Sequence, residues 1–174
     1  MAISSTINKV LVNIADMDRH YYQTHELRMA QHPSENDFRF MIRLVAFMLN
    51  ASENLSFTKG LSSDDEPELW QKNLTDDIEL WIDLGQVDEK RIRKACGRAD
   101  KVIIYTYHEG KAKVWREQQQ AKLQRFTNLS IIHIHAGDID KLLKRSMQLQ
   151  CNIQDGEMYL SDDDLNFTIS VEKF

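Results

Sequence analysis

The chain holds 174 residues, 42% of them hydrophobic, and carries a net charge of −5 from 22 basic and 27 acidic side chains. These values fit one globular domain able to bury a core without metal or disulfide, and they exclude a disordered chain, a disulfide scaffold (there are two cysteines, Cys96 and Cys151) and a surface that coats nucleic acid or anionic lipid as a whole. No apolar run nears the roughly 20 residues of a membrane span, and residues 1–9 lack the basic-then-apolar layout of a signal peptide, so a cytoplasmic protein is expected.

Residues 4–16 read as a strand, with Val10, Val12 and Ile14 alternating on one face, and Tyr21–Gln31 reads as its hairpin partner across a polar turn. His32-Pro33-Ser34-Glu35 is expected to open the first helix with Ser34 as N-cap; Phe38, Met41, Ile42, Val45, Met48 and Leu49 then follow helical spacing. Phe40, Leu44 and Phe47 add a second apolar stripe, the mark of a largely buried helix. Residues 55–59, 66–72 and 78–85 are short and strand-like, the first two separated by a polar stretch from Gly60 onward. In the third, Leu80, Ile82 and Leu84 share one face and Glu79, Trp81 and Asp83 the other. Asp88 caps a helix running to about Ala99. A strand at 101–107, a helix at 112–126, a strand at Leu129–His135 and a short helix at 138–146 follow. The tail reads as strands joined at Asp155-Gly156 and around residues 161–166. The middle is therefore helix, three strands, helix, strand: a mixed α/β sheet with flanking helices, carrying an added N-terminal hairpin and C-terminal strands in a single domain over 1–174.

The densest acidic cluster is Asp64, Asp65, Glu66 and Glu68, with Glu79 and Asp83 on the next strand. If these strands pair, carboxylates from each come within a few ångströms and repel unless a proton or cation lies between them. Mg²⁺ or Mn²⁺ suits such oxygen ligands; a solvated charged loop is the competing reading. Lys90, Arg91, Arg93, Lys94, Arg98 and Lys101 are six basic residues in twelve, with Arg91, Lys94 and Arg98 on one helical face. An acidic metal pair beside a basic face would suit a phosphodiester, whereas a face that balances the neighbouring acids is the plainer reading. Glu35 would favour the start of the first helix electrostatically. His133 and His135 are expected as surface histidines, Asp162-Asp163-Asp164 as a hairpin turn, Trp70, Trp81 and Trp115 as packing residues, and Cys96 as inert core.

Four stretches together resemble the YaeQ family of small bacterial proteins: His32-Pro33-Ser34-Glu35, the segment from Gly60-Leu61 to Asp64-Asp65-Glu66-Pro67, Glu79-Leu80-Trp81-Ile82-Asp83-Leu84-Gly85, and Asp88-Glu89-Lys90-Arg91-Ile92-Arg93-Lys94-Ala95-Cys96. Asn128-Leu129-Ser130 and Ile153-Gln154-Asp155-Gly156 extend the resemblance over nearly the whole chain. It implies a variant of the PD-(D/E)XK restriction-nuclease-like fold with an αβββαβ core. On that implication, Asp65, Glu66 or Glu68 would be the first acid, with Asp65 or Glu66 preferred, and with Asp83 and Glu79 it would hold Mg²⁺ or Mn²⁺. The lysine position after Asp83 is Gly85, so Lys94 would supply the amine, or Gln86 would orient water instead, and Glu35 would assist. Arg91, Lys90 and Arg98 would contact DNA or RNA. The expectation is a metal-dependent nuclease, or else a non-catalytic module that binds nucleic acid or a protein on a nuclease-like fold.

Overall fold

The computed structural model describes residues 4–59 and 64–174. In chain order its elements are β1 (Thr6–Asp16), β2 (Tyr21–Gln31), α1 (Asp37–Asn50), β3 (Leu55–Phe57), β4 (Leu69–Lys72), β5 (Ile78–Leu84), α2 (Glu89–Arg98), β6 (Ala99–Thr106), α3 (Glu109–Leu123), β7 (Leu129–His135), a 3-10 turn (Ile139–Leu142), β8 (Ser146–Gln154), β9 (Glu157–Ser161) and β10 (Asn166–Lys173). They fall into two compact units, one containing residues up to 48 with 135–171, the other residues 49–134 with 172–174. The expected run of helix, three strands, helix and strand is α1, β3, β4, β5, α2 and β6. The start of the stretch after Lys59, residues 60–63, lies outside the described residues.

In the first unit the strand order is β2-β1-β8-β9-β10. β1 runs antiparallel to β2 and parallel to β8. The alternation seen in the sequence is the burial pattern: Val10, Val12 and Ile14 are buried together with Met147, Leu149, Cys151 and Ile153 of β8 and Met158 and Leu160 of β9. α1 buries every residue from 40 to 48, Arg43 included. Phe47 meets the edge of the His25 ring at 5.2 Å between centroids.

The helix does not begin at Ser34. That hydroxyl bonds the His32 Nδ1 at 2.7 Å, and Glu35 N donates to the His32 carbonyl, which makes a turn of this segment. The cap is Asn36, whose Oδ1 accepts from Arg39 N at 2.8 Å and whose carbonyl accepts from Phe40 N. Asparagine serves that position as well as serine does, and the serine is already engaged by its histidine neighbour.

In the second unit the order is β7-β6-β5-β4-β3, with β3, β4 and β5 antiparallel and β5, β6 and β7 parallel. One core contains Trp81 from β5, Ile92 and Ala95 from α2, Val102 and Ile104 from β6, and Trp115 and Leu123 from α3. Trp115 buries its ring there, and its indole N–H donates to the Val87 carbonyl at 2.9 Å, which satisfies the one polar atom it brings. β4 begins at Leu69 and not at residue 66; Glu68 still bonds the Ile82 carbonyl through its amide, and Pro67 before it has no amide to give. His133 is not a surface residue. It is 3% exposed, bonds the Thr106 hydroxyl at 2.8 Å and stacks on Phe174.

Candidate functional site

The acidic and basic stretches meet in the second unit. Period-two alternation on β5 turns Trp81 and Asp83 to the same side, where both are buried. A carboxylate in that position needs donors, since an unpaired buried charge is far more costly than a paired one. Asp83 Oδ2 accepts from the Trp81 indole N–H at 2.9 Å and from Arg91 Nε at 2.9 Å, while Oδ1 accepts from Arg91 Nη2 at 3.0 Å. Arg91 therefore grips the carboxylate side-on with two bonds, the geometry in which arginine is strongest.

Asp88 makes this approach possible. Its side chain accepts from Arg91 N and starts α2 at Glu89, which fixes the helix turn from which the guanidinium extends. The same guanidinium donates to two backbone carbonyls of the acidic segment, Asp64 at 2.9 Å and Glu66 at 2.7 Å. Burial works against its charge, but the hydrogen bond and charge of Asp83, with Glu68 and Asp64 beyond, outweigh that and raise its pKa.

The next residues along the helical stripe act on the same segment. Lys94 Nζ bonds Asp65 Oδ1 at 2.5 Å, and Arg98 Nη1 donates to the Asp65 carbonyl at 2.8 Å while lying over the Trp81 ring. The Lys94 hydrogen bond, followed by its charge, lowers the Asp65 pKa. Residues at spacings of three and four thus clamp one loop: Arg91 in its interior, Lys94 and Arg98 at its surface.

The structure gathers Asp65, Glu66, Asp83, Arg91, Lys94 and Arg98 into this network. Asp65 is exposed and Glu66 half-buried, whereas Glu68, also in the acidic cluster, is 6% exposed and anchored by its amide to the Ile82 carbonyl at 3.0 Å. Glu79, half-buried on β5, accepts from Gln71 Nε2 at 3.2 Å. Gln86 is exposed between β5 and α2, and Lys90 is exposed on α2. Glu35 belongs to the first unit, just before α1, where its carboxylate pairs with Arg39 at 2.6 Å and Arg43 at 2.8 Å. A groove of about 380 Å³ in the second unit, between α3 and β7, includes none of the candidate residues.

Two participants went unrecognised in the sequence: Trp81 as a hydrogen-bond donor and Arg91 as the group standing between the acids. The i, i+2 relation of Trp81 to Asp83 on one strand face was the available signal for the first. For the second, the helical stripe was visible but its target was not.

The arrangement is that of a mixed α/β protein whose helix-borne arginine neutralises a buried carboxylate on a neighbouring strand. The chain belongs to the YaeQ family, whose model, described as YaeQ protein, matches residues 1–171. Over 174 residues it is 44% identical to the Uncharacterized protein YaeQ of Escherichia coli strain K12, a match covering 98% of this chain and 96% of that protein. The Salmonella typhi protein of the same name is likewise 44% identical over 98% and 96% of the two chains. Among solved structures, the YaeQ protein from Xanthomonas axonopodis pv. citri is 40% identical with a TM-score of 0.94 over 98% of both chains. The YaeQ protein from Pseudomonas syringae is 28% identical with a TM-score of 0.91, over 98% of this chain and 96% of that one. No helix among the described residues is long and apolar enough to cross a membrane.

Proposed function

We propose that this chain is a non-catalytic nucleic-acid-binding module on a nuclease-like fold, with the basic side of α2 as its phosphate-binding surface. The observation that carries this reading is the place of Arg91. Where a PD-(D/E)XK nuclease would set a divalent cation between its strand carboxylates, a guanidinium holds both oxygens of Asp83 together with the backbone of the acidic segment. Lys90 and Arg93 are exposed and have no ion-pair partner among the described residues. Lys94 and Asp65 are both open to solvent, and such exposed pairs contribute little to stability, so a phosphate group can take the place of Asp65 at small cost.

The test is binding of fluorescently labelled single- and double-stranded DNA and RNA, followed by polarisation across a salt series. Affinity falls with rising salt, K90E and R93E weaken binding to all sequences alike, and D65N strengthens it. Binding that ignores both salt and K90E refutes the proposal.

A metal-dependent phosphodiesterase is the second reading. One observation favours it: Glu68 and Asp83 are both buried and both act on the charge at Arg91, so a divalent ion would meet the same oxygen-rich surroundings if the guanidinium withdrew. Mg²⁺ or Mn²⁺ would then raise the melting temperature through linkage, and nucleic acid would be cleaved. Binding without cleavage or a thermal shift at millimolar metal supports the first reading over this one.

A further inference from the structure

We propose that β2 pairs antiparallel with β2 of a second copy of this chain, about a two-fold axis at Leu27, extending the strand array of the first unit across a homodimer.

Backbone direction provides the first argument. Lys9 N donates to the Arg145 carbonyl and Met17 N to the Ile153 carbonyl, both at 2.9 Å, so the odd-numbered residues of β1 aim their amides towards β8. The even-numbered residues of β1 therefore bond β2. Through the register Val10↔Leu27 and Val12↔His25, the inward-bonding residues of β2 are odd-numbered. Tyr22, Thr24, Glu26, Arg28 and Ala30 then direct their N–H and C=O groups away from β1. The Ala30 carbonyl confirms this orientation, because it accepts from the buried Arg43 Nη2 at 2.7 Å.

That capped carbonyl marks one end of the open edge. Ahead of it, no backbone bond from a described residue reaches the outward groups of Thr24, Glu26 or Arg28. β2 is the end strand of its order, and it is 11 residues long. Its register with β1 runs through Tyr21–Gln31 without a bulge, and it contains no proline. Long regular edges of this kind are templates for another strand, and proteins that keep them unpaired shorten, bulge or charge them. The only charges here are Glu26 and Arg28, and they are opposite in sign.

Their spacing selects the occupant and the register. Because the outward residues are all even-numbered, an antiparallel copy can pair only with its axis on a residue. An axis at Leu27 sets Glu26 across from Arg28 of the second copy, and Arg28 across from Glu26, in hydrogen-bonded positions where opposite charges stabilise a sheet, and the shared ladder ends where the Ala30 carbonyl, already bonded by Arg43, comes across from Thr24. An axis at Glu26 would place like charges face to face, and one at His25 would set each charge against Thr24 or Tyr22. The segment is thus complementary to itself, as a two-fold interface requires. This interface lies in the first unit and involves no residue of the proposed nucleic-acid surface.

Sedimentation velocity or light scattering over a concentration series tests the proposal with the full chain. The wild type is expected as a dimer at high micromolar concentration. E26R sets Arg against Arg and R28E sets Glu against Glu, so each is monomeric. Mixed in equal amounts they form a heterodimer, because every cross-strand pair is then opposite in charge; the double variant E26R/R28E dimerises by itself. Far-ultraviolet circular dichroism of each monomeric variant confirms that it is folded. A wild type that stays monomeric, a dimer indifferent to the single reversals, or variants that fail to recombine would overturn it.

Discussion

Arg91 and Asp83 meet through two parallel contacts, Nε to Oδ2 at 2.9 Å and Nη2 to Oδ1 at 3.0 Å, with the carboxylate almost fully enclosed and the guanidinium partly open. One helix residue thereby joins α2, β5 and the acidic segment. Breaking such a pair from one side leaves a buried charge without compensation, which typically costs about 3 kcal/mol. R91A is therefore expected to lower the urea midpoint strongly, and R91K to recover part of the loss, keeping the charge but not the two-point grip. D83N placed in the R91A background restores stability relative to R91A alone, because the uncompensated charge is gone. A double variant no more stable than R91A would show that packing of the arginine stem, and not charge compensation, dominates.

His25 makes stability depend on pH. Burial holds its imidazole below the ordinary value of 6.5, and its Nε2 lies 2.7 Å from the Tyr21 hydroxyl. As pH falls through that value the unfolded chain takes up the proton first, so the folded state loses ground. The contribution is complete above the unfolded pKa and declines towards the folded one. Denaturant midpoints compared at pH 7 and ~pH 5 should fall less for H25Q than for the wild type. An equal fall in both proteins would assign the acid sensitivity to other groups.

Local pattern made most of the fold readable, and long-range pairing decided what was not. The alternation of Val10, Val12 and Ile14 and the stripe from Phe38 to Leu49 are local signals, and β1 and α1 follow them closely. Asp88 was legible as a cap because a helix start is also local, and its side chain does accept from Arg91 N. Ser34 misled for the same reason, since either it or Asn36 satisfies the rule and only the His32 contact decides between them. At the candidate site the acids and the basic stripe were visible, but not their pairing: Arg91 bonds the Asp83 carboxylate, Lys94 bonds that of Asp65, and Arg98 donates to the Asp65 backbone carbonyl. Which acid is enclosed depends on chain folding around Pro67, and no spacing rule separates buried Glu68 from exposed Asp65. His133 is the same case: its enclosure comes from Thr106 and Phe174, both distant in sequence.

The two thiols should react very differently. Burial, with the charge of Asp16 adding to it, pushes Cys151 up to about 12, and the side chain is fully enclosed between β1 and β9. Cys96 is half-buried on α2, and burial raises its pKa as well. Since the thiolate is the reactive form, a disulfide reagent at neutral pH is expected to modify Cys96 slowly and Cys151 only after denaturation. C96S should then show no reactive thiol in the native state. Rapid labelling of native C96S would mean that β8 opens readily.

The β8–β9 hairpin places a sharper demand on its turn. Gln154 pairs with Glu157, and the two residues between them, Asp155 and Gly156, have φ values of 53° and 78°. Both therefore lie in the left-handed region, as a two-residue hairpin matched to the strand twist requires. Asp18, from the β1–β2 turn, accepts from both turn amides at 2.8 Å and ties the two hairpin ends together. G156A adds a Cβ that disfavours this conformation, at a cost of about 1–2 kcal/mol. D155N should be nearly neutral, because asparagine tolerates the same region. D18A should cost less than G156A, since the amides it releases are exposed and find water instead. Urea midpoints in the order wild type, D155N, D18A, G156A, from most to least stable, would establish that backbone conformation outweighs the side-chain tether, and a D18A variant less stable than G156A would reverse that assignment.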